Sequence, residues 1–112
     1  MLRNDVYDAR LNPTEGSEQS GVRPVIIVSR DAINVHSPVI VIVPITDANN
    51  VPRLYPNDVA ISAGDGGLSL DSVALTGQVR AIAKTRLLRQ RGRLKPSTMQ
   101  QINAALRITL DL

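Results

Sequence analysis

Short apolar runs rich in β-branched residues alternate with polar turn segments along the first three quarters of the chain. Runs of this length and composition favour buried β-strands. The segments between them contain turn residues, as in the glycine-rich stretch Gly64–Gly67. Strands at this spacing predict a compact antiparallel barrel or sandwich. The predicted strands are Asp5–Leu11, Pro24–Ser29, Val39–Ile45, Asp58–Ser62, Leu70–Leu75 and Gln78–Ile82.

The last segment of the chain has a helical period instead. Pro96 can occupy the first position of a helix, and Ser97–Gln100 fits a capping box. Apolar residues then recur every three or four positions, which predicts an amphipathic helix of about four turns. We expect this helix to pack against the β-structure or against a partner subunit. The apolar stripe consists of Met99, Ile102, Leu106 and Leu110, with Ala105 and Ile108 beside it.

The composition bounds the class of protein. The 112 residues suffice for one domain with a modest core, which we assign to residues 1–112. The absence of cysteine excludes disulfides, cysteine-based metal sites and a cysteine nucleophile. Because Tyr7 and Tyr55 are the only aromatic residues, the core must be aliphatic. No signal peptide is recognisable, and the longest apolar run, Pro38–Ile45, is too short to span a bilayer. We therefore expect a cytoplasmic protein with no membrane partner.

The net charge of +3 is unevenly distributed. In residues 1–83, six arginines are outnumbered by nine acidic residues, whereas residues 84–112 hold seven bases and one acid. Six of those bases fall between Lys84 and Lys95. This basic cluster suits contact with a polyanion or with an acidic protein segment. A solvated loop is the alternative interpretation.

The segment Asn12–Pro24 is the most informative polar stretch, because it lies between two apolar runs and concentrates reactive side chains. It holds Glu15, Glu18, Gln19 and Arg23 between glycines that allow tight backbone bends. An acid, an amide and a guanidinium on one rim are suited to chemistry at a phosphate.

Several familiar signatures are absent, which narrows the possible chemistry. The chain has no Walker loop, no glycine-rich dinucleotide fingerprint and no zinc-ligand spacing. His36 is the only histidine, so a two-histidine acid–base pair and a histidine-rich metal site are excluded. We expect His36 to be structural or exposed. The sequence predicts no metal site and no cofactor.

Cleavage of an RNA backbone by its own 2′-hydroxyl needs a base or orienting group, donors for the phosphorane oxygens and help for the leaving oxygen. The candidate groups are Glu18, Arg23, Thr46 and Gln78. Arg23 presents a fork of donors matched to phosphate, and Glu18 is a candidate base. Simpler roles are open as well. Arg23 can pair with Glu15 or Glu18, Thr46 can close a β-turn, and Gln78 can satisfy buried backbone groups.

At these residues the chain resembles the MazF/PemK family of toxin endoribonucleases, and the resemblance covers nearly the whole sequence. The segment Gly16–Pro24 is similar to the hallmark loop of that family. Val43–Thr46 resembles the strand that ends in the family's active-site threonine. The remaining matching segments, in family order, are Asp5–Tyr7, Leu11–Pro13, Gly67–Leu75, Gln78–Ile82 and Arg86–Leu87.

The resemblance implies an SH3-like β-barrel of the CcdB/PemK type with a C-terminal helix, working as a homodimer. It also implies metal-independent cleavage of single-stranded RNA, leaving a cyclic phosphate and a 5′-hydroxyl, and neutralisation by a cognate acidic antitoxin. By position, Arg23 and Thr46 would be the catalytic pair, and Glu18 a base or supporting residue. Gln19 and Gln78 would shape the substrate site.

The chain departs from the family pattern near the proposed site. Asp47 follows Thr46 where a small hydroxyl residue is common, and its carboxylate repels phosphate unless Arg23, Arg53 or Arg80 offsets it. Tyr55 is the one aromatic candidate for base stacking in the Thr46–Asn57 segment. The predicted substrate-binding residues are accordingly Gln19, Gln78, Arg80, Asp47, Tyr55 and Arg53.

Two other functions are consistent with parts of the sequence. A non-catalytic RNA-binding or antitoxin-binding module would use the Lys84–Lys95 cluster as its main surface. A CcdB-like toxin directed at gyrase would share the fold. The chain ends in Leu110-Asp111-Leu112 without the tryptophan that such toxins present, which argues against this second alternative.

Overall fold

Seven strands and two α-helices make up the computed structural model, which describes all residues from Met1 to Leu112. Short 3₁₀ turns at Ala48–Asn50, Asp65–Gly67, Thr76–Gln78 and Lys84–Arg86 connect them. The protein is therefore mainly β with a C-terminal helix, as predicted. In chain order the elements are β1 (Asp5–Arg10), β2 (Val22–Ile27), α1 (Asp31–His36), β3 (Val39–Asp47), β4 (Asp58–Ile61), β5 (Ser72–Leu75), β6 (Arg80–Ala83), β7 (Leu87–Arg93) and α2 (Pro96–Leu110).

The strands form one antiparallel sheet in the order β4-β5-β3-β2-β1-β7, with β6 also paired to β3. The nine-residue strand β3 organises this sheet. Its residues Val39–Ile42 pair with β6, and Ile45–Asp47 pair with β5. The Thr76–Gln78 turn therefore connects two strands that both pair with β3. The sheet is not closed by hydrogen bonds, because β4 and β7 remain its two edges. In this respect the structure differs from a fully closed barrel.

The Asp65–Gly67 turn lies against the edge strand β7 and takes the place of a closing strand. Gly66 and Gly67 have positive φ angles of 65° and 72°, a conformation that favours glycine. A Cβ atom on Gly67 would lie 2.0 Å from the carbonyl oxygen of Arg91, and one on Gly92 would lie 2.7 Å from the carbonyl carbon of Gly66. Only glycines permit this close approach of the two backbones.

The core is aliphatic, as the composition predicts, and occupies both faces of the sheet. Successive residues of a strand point to opposite faces. In β2, Ile26 belongs to a cluster that α2 covers with Met99 and Ile102, whereas Val25 and Ile27 belong to the cluster on the other face. Strands with continuous apolar runs therefore contribute side chains to the core on both faces of the sheet.

The helix α2 begins at Pro96, as predicted, but the capping box is not formed. Lys95 is the N-cap residue, and no side chain of the helix itself caps the helix. The carboxylate of Asp65 caps the helix instead. It accepts hydrogen bonds from the Lys95 backbone N–H at 3.0 Å and from the Thr98 hydroxyl at 2.5 Å. The capping partner is 30 residues away in sequence, so local pattern could not reveal it.

The apolar stripe of α2 is buried as far as Ala105. Met99, Ile102 and Ala105 are buried, whereas Ile108 and Leu110 are more than half exposed. No helix of the structure has the length and apolar character needed to cross a membrane.

Two elements were not predicted. The helix α1 ends at the exposed residue His36, so this histidine lies at the end of a helix and not at the start of a strand. Strand β7 lies within the Lys84–Lys95 cluster, which the sequence indicated as a solvated loop or a free basic surface. It forms because its arginines face acids of β1, as Arg93 does at 2.9 Å from Asp5.

Candidate active site

The structure brings Arg23 and Thr46 together. Strands β2 and β3 are antiparallel, and their pairing ends at Val25 opposite Pro44, so Arg23 and Thr46 lie two residues beyond its end on the two strands. Both residues line one depression of about 220 Å³, which we call the Arg23–Thr46 depression. Its polar lining residues are Arg23, Thr46, Asp47, Ser69, Ser72 and Arg91.

The hydroxyl of Thr46 is held in a defined orientation. Its side chain is only 3 % exposed, and its Oγ1 accepts a hydrogen bond of 3.1 Å from the Nδ2 of Asn50. Asp47 starts the turn that returns Asn50 to this position, since its Oδ1 accepts from the Asn49 backbone N–H at 2.9 Å. The hydroxyl proton of Thr46 is therefore left to point away from Asn50.

Arg23 is half-buried and keeps most of its hydrogen-bonding capacity. Its Nε donates to the carbonyl of Ser20 at 3.1 Å, while its two Nη atoms make no hydrogen bond within the chain. None of the three ion pairs of the structure involves Arg23. Arg23 therefore forms no ion pair with Glu15 or Glu18, the simpler role that the sequence left open.

Arg91 is the residue of this depression that the sequence did not indicate. Its Nε lies 3.5 Å from the Oδ1 of Asp8, whose other oxygen is 2.9 Å from the Nε of Arg89. In the sequence, the alternation of arginines at positions 89, 91 and 93 is typical of a strand with its charged side chains on one face. Only the packing of the Asp65–Gly67 turn against β7, however, determines that Arg91 adjoins Arg23.

A second depression, of about 360 Å³, holds four more of the predicted site residues. We call it the Gln19–Gln78 depression; its lining includes Glu18, Gln19, Pro44, Gln78 and Arg80. Because Pro44 and Thr46 are two residues apart on β3, their side chains point to the same face of the sheet. One lining residue of each depression therefore lies on this face.

Gln78 fixes the conformation of the loop that precedes Arg23. Its Oε1 accepts from the Gln19 backbone N–H at 2.7 Å, and its Nε2 donates to the carbonyl of Ser17 at 3.3 Å. This is the backbone-satisfying role that the sequence left open for Gln78. The Oε1 of Gln19 is buried and has no hydrogen-bond partner within the chain.

Glu18 and Arg80 also contact the backbone of this loop. Glu18 is exposed, and its Oε1 accepts from the Glu15 backbone N–H at 2.6 Å. Arg80 donates from Nη1 to the carbonyl of Leu11 at 3.3 Å, and Arg86 donates to the carbonyls of Arg10 and Asn12. Glu18 lines the Gln19–Gln78 depression and does not line the Arg23–Thr46 depression.

Arg53 and Tyr55 form a separate exposed pair. The guanidinium carbon of Arg53 lies 5.5 Å from the ring centroid of Tyr55, a cation–π geometry, and Tyr55 is 58 % exposed. Neither residue lines either depression. Of the three cations that the sequence indicated to offset Asp47, Arg23 lines the same depression as that carboxylate, whereas Arg53 and Arg80 do not. Arg91 lines it as well.

The Lys84–Lys95 cluster is largely engaged within the chain. Arg86 bonds carbonyls of the loop, Arg89 and Arg91 share Asp8, and Arg93 pairs with Asp5. The cluster is thus not a free basic surface along its length. No group of three or more histidine or acidic side chains is close enough to hold a metal ion. Burial raises the pKa of Tyr7, which lines neither depression.

Comparison with known proteins gives a consistent set of relatives. A family model described as "PemK-like, MazF-like toxin of type II toxin-antitoxin system" matches residues 2–110. Endoribonuclease MazF9 of Mycobacterium tuberculosis is 38 % identical over 117 residues, covering 100 % of this chain and 98 % of the relative. Endoribonuclease MazF of Staphylococcus epidermidis is 42 % identical over 112 residues, covering 100 % of this chain and 92 % of the relative.

Solved structures agree with this relationship. An endoribonuclease from a Mycobacterial species, solved in complex with its cognate antitoxin, superposes with a TM-score of 0.83 at 30 % identity, covering 100 % of this chain and 96 % of the other. MazF from Deinococcus radiodurans superposes with a TM-score of 0.84 at 21 % identity, covering 100 % and 97 %, and so shares the fold.

Proposed function

The chain belongs to the family of PemK-like, MazF-like toxins of type II toxin–antitoxin systems, and from this premise we propose that it is an endoribonuclease that cuts single-stranded RNA without a metal ion. The observation that carries the proposal is the shared position of Arg23 and Thr46 in one depression. Relatives at 38 % and 42 % identity over the whole chain are named endoribonucleases, which supports the reaction class.

The proposed reaction is an internal transesterification. The 2′-oxygen of the ribose forms a bond to phosphorus while the bond from phosphorus to the 5′-oxygen breaks. The products are a 2′,3′-cyclic phosphate and a free 5′-hydroxyl, and the proton lost by the 2′-hydroxyl is balanced by one gained at the 5′-oxygen. Negative charge develops on the phosphorane oxygens, so donors fixed in advance lower the barrier.

Arg23 is suited to hold that developing charge. Its Nη atoms make no hydrogen bond within the chain, while the Ser20 carbonyl fixes its Nε. When the Nε of a guanidinium is held and its two Nη atoms are free, the group can bind two oxygens of one phosphate and lose little side-chain entropy. We assign Arg23 to phosphorane stabilisation, since an arginine does not titrate near neutral pH.

Thr46 is suited to orient the phosphate. Because Asn50 donates to its Oγ1, the Thr46 hydroxyl is itself a donor directed away from that amide. Glu18 accepts a backbone N–H of its own loop and does not line the depression of Arg23 and Thr46. We therefore assign Glu18 the supporting role and not that of the base.

The Gln19–Gln78 depression is the proposed site for the neighbouring nucleotide. The buried and unpartnered Oε1 of Gln19 can accept from a base amino group or a ribose hydroxyl. Gln78 and Arg80 shape this depression through their bonds to the loop backbone. The exposed Tyr55 ring, with Arg53 stacked on it, offers a platform for a base farther along the strand.

The proposed partners are a second copy of this chain and a cognate antitoxin. One solved relative, at 30 % identity, was determined together with its cognate antitoxin. An acidic antitoxin segment would compete with RNA for the same cations, which gives a simple physical route to neutralisation.

The test is a comparison of wild-type protein with Arg23→Ala and Arg30→Ala on a complex RNA pool in the presence of EDTA. Sequencing of the new 5′ ends gives the cleavage sites. We expect wild type and Arg30→Ala to cut alike, because Arg30 is exposed and lines neither depression. Arg23→Ala should lose at least about a hundredfold in rate, the usual cost of removing one such donor.

Three results would contradict the proposal. They are an RNA pool left uncut by wild type, cleavage that requires a divalent ion, and an Arg23→Ala variant as active as Arg30→Ala. Salt-sensitive binding without cleavage would instead favour the non-catalytic module.

A further inference from the structure

The Arg23–Thr46 depression contains a carboxylate where a phosphate is expected to bind. Its charged lining residues are Arg23, Asp47 and Arg91. Arg23 and Asp47 alone would leave the depression without net charge, and a phosphodiester would gain little by entering it. Arg91 changes the balance to one net positive charge.

We propose that Arg91 is a further substrate-binding residue of this site, which offsets Asp47 and contacts a phosphate of the RNA. The inference rests on the proposed function and adds to it a residue that neither the loop motif nor the strand ending in Thr46 contains. Arg23 and Arg91 then hold the RNA backbone from two sides of one depression.

The position of Arg91 is fixed by the backbone around it. Gly67 approaches its carbonyl so closely that no Cβ could be accommodated, and Gly92 makes the same kind of contact with Gly66. The Asp65–Gly67 turn thereby holds β7 beside the segment from Leu68 to Ser72. The backbone from which the Arg91 side chain projects is therefore held in place beside the depression.

The side chain of Arg91 has donors to spare. It is 21 % exposed and has one protein partner, the Asp8 carboxylate, at 3.5 Å from its Nε. Arg89 contacts the same carboxylate more closely, at 2.9 Å. The Nη atoms of Arg91 make no hydrogen bond within the chain, so its fork is open toward a ligand.

Arg89 provides a matched control. It pairs with the same aspartate, on the same strand, yet it does not line the depression and its side chain is 70 % exposed. A general loss of positive charge or of the Asp8 pairing would affect both variants. Binding of RNA at the depression would affect only Arg91.

The experiment measures binding of a fluorescein-labelled, uncleavable 2′-O-methyl RNA pool of random sequence by anisotropy over a series of salt concentrations. Wild type, Arg91→Ala, Arg91→Lys and Arg89→Ala are compared. We expect Arg91→Ala to bind about tenfold more weakly, with a slope of log K against log salt that is shallower by about 0.7. Arg89→Ala should match wild type, and Arg91→Lys should keep most of the slope.

A second substitution separates charge from structure. In the Arg91→Ala background, Asp47→Asn removes the carboxylate that Arg91 offsets, so binding should recover. A purely structural role of Arg91 would not be rescued in this way. If Arg91→Ala proves unstable in thermal unfolding, the Arg91→Lys salt slope and affinity decide the matter.

The inference is overturned if Arg91→Ala keeps the wild-type slope and affinity, if Arg89→Ala loses as much, or if Asp47→Asn gives no recovery. These outcomes are distinct from failure of the proposed function. Wild type that cuts no RNA but shows the Arg91-dependent slope refutes the ribonuclease and supports the binding site. Wild type that cuts RNA with an Arg91→Ala variant equal to wild type refutes only the inference.

Discussion

Individual side chains acquire their proposed roles through the hydrogen bonds that already occupy them. The Thr46 hydroxyl accepts from Asn50, and the Arg23 Nε donates to Ser20, so each keeps a defined part of its capacity for substrate. Gln78 is different, because both ends of its amide are bonded to the loop backbone. Residues of similar polarity therefore divide into groups that face substrate and groups that support them.

Substitutions at Thr46 and Asn50 test the orientation of the hydroxyl. We expect Thr46→Val to lower the single-turnover rate about a hundredfold, since it removes one donor from the site. Thr46→Ser should keep most of the activity. Asn50→Ala should cost about tenfold, because the hydroxyl remains but loses the bond that directs it. Equal rates for Asn50→Ala and wild type would show that this bond does not matter for the reaction.

Tyr7 gives a prediction for the dependence of stability on pH. Burial raises the pKa of Tyr7 above its ordinary value of 10.0, and the nearby Asp5 carboxylate raises it further. The native state thus favours the neutral phenol. Its contribution to the free energy of unfolding is fully present below pH 10.0 and is lost as the pH rises through the higher native pKa.

Melting temperatures of wild type and Tyr7→Phe should therefore diverge at alkaline pH. Wild type should lose stability relative to Tyr7→Phe as the pH passes above 10.0, because only wild type can ionise at this position. A difference between the two proteins that stays constant over the same range would contradict the assignment.

At the scale of elements, the Asp65–Gly67 turn connects three parts of the fold. Its aspartate caps α2, and its glycines pack against the backbone of β7. The segment that follows it lines the Arg23–Thr46 depression with Leu68, Ser69 and Leu70. Stability and the shape of the candidate site are therefore linked through one short turn.

The substitution Gly67→Ala tests this link, with Gly64→Ala as its control. Both glycines have positive φ, but a Cβ on Gly64 meets nothing within 4 Å, whereas one on Gly67 lies 2.0 Å from the Arg91 carbonyl oxygen. Gly64→Ala should cost about 1–2 kcal/mol from backbone strain. Gly67→Ala should cost a further 1–3 kcal/mol, roughly, from steric overlap.

Urea unfolding followed by circular dichroism measures both free energies. We also expect Gly67→Ala to weaken RNA binding more than Gly64→Ala does, since a shift of β7 moves Arg91. Similar losses of stability for the two variants would show that the turn does not press on β7.

At the scale of the molecule, the candidate site is assembled from distant parts of the chain. Arg23 lies near the start of β2, Thr46 lies near the end of β3, and Arg91 belongs to β7. The helix α2 buries Met99 and Ile102 in the core, whereas its residues Ile108 and Leu110 are exposed, as is Leu112 after the helix. Apolar side chains thus remain available on the surface after the chain has folded.

Sedimentation at micromolar concentration tests the proposed homodimer. We expect a species of twice the chain mass of 12.1 kDa. Replacing the exposed residues Ile108 and Leu110 by serine should leave the fold intact, because neither belongs to the core. Wild type that sediments only as a 12.1 kDa monomer would contradict the dimer.

The sequence by itself determined the strands from β1 to β6, the start of α2 at Pro96, the aliphatic core and the pair Arg23 and Thr46. The strands, the start of the helix and the core follow from local periodicity and composition, whereas the pair Arg23 and Thr46 follows from the resemblance to the MazF/PemK family. The tertiary structure alone decided that Asp65 caps α2, that β7 is a strand, that Glu18 lies apart from the pair and that Arg91 lies beside it. Such contacts depend on strand register and on the close approach of glycine backbones, and both join residues far apart in sequence.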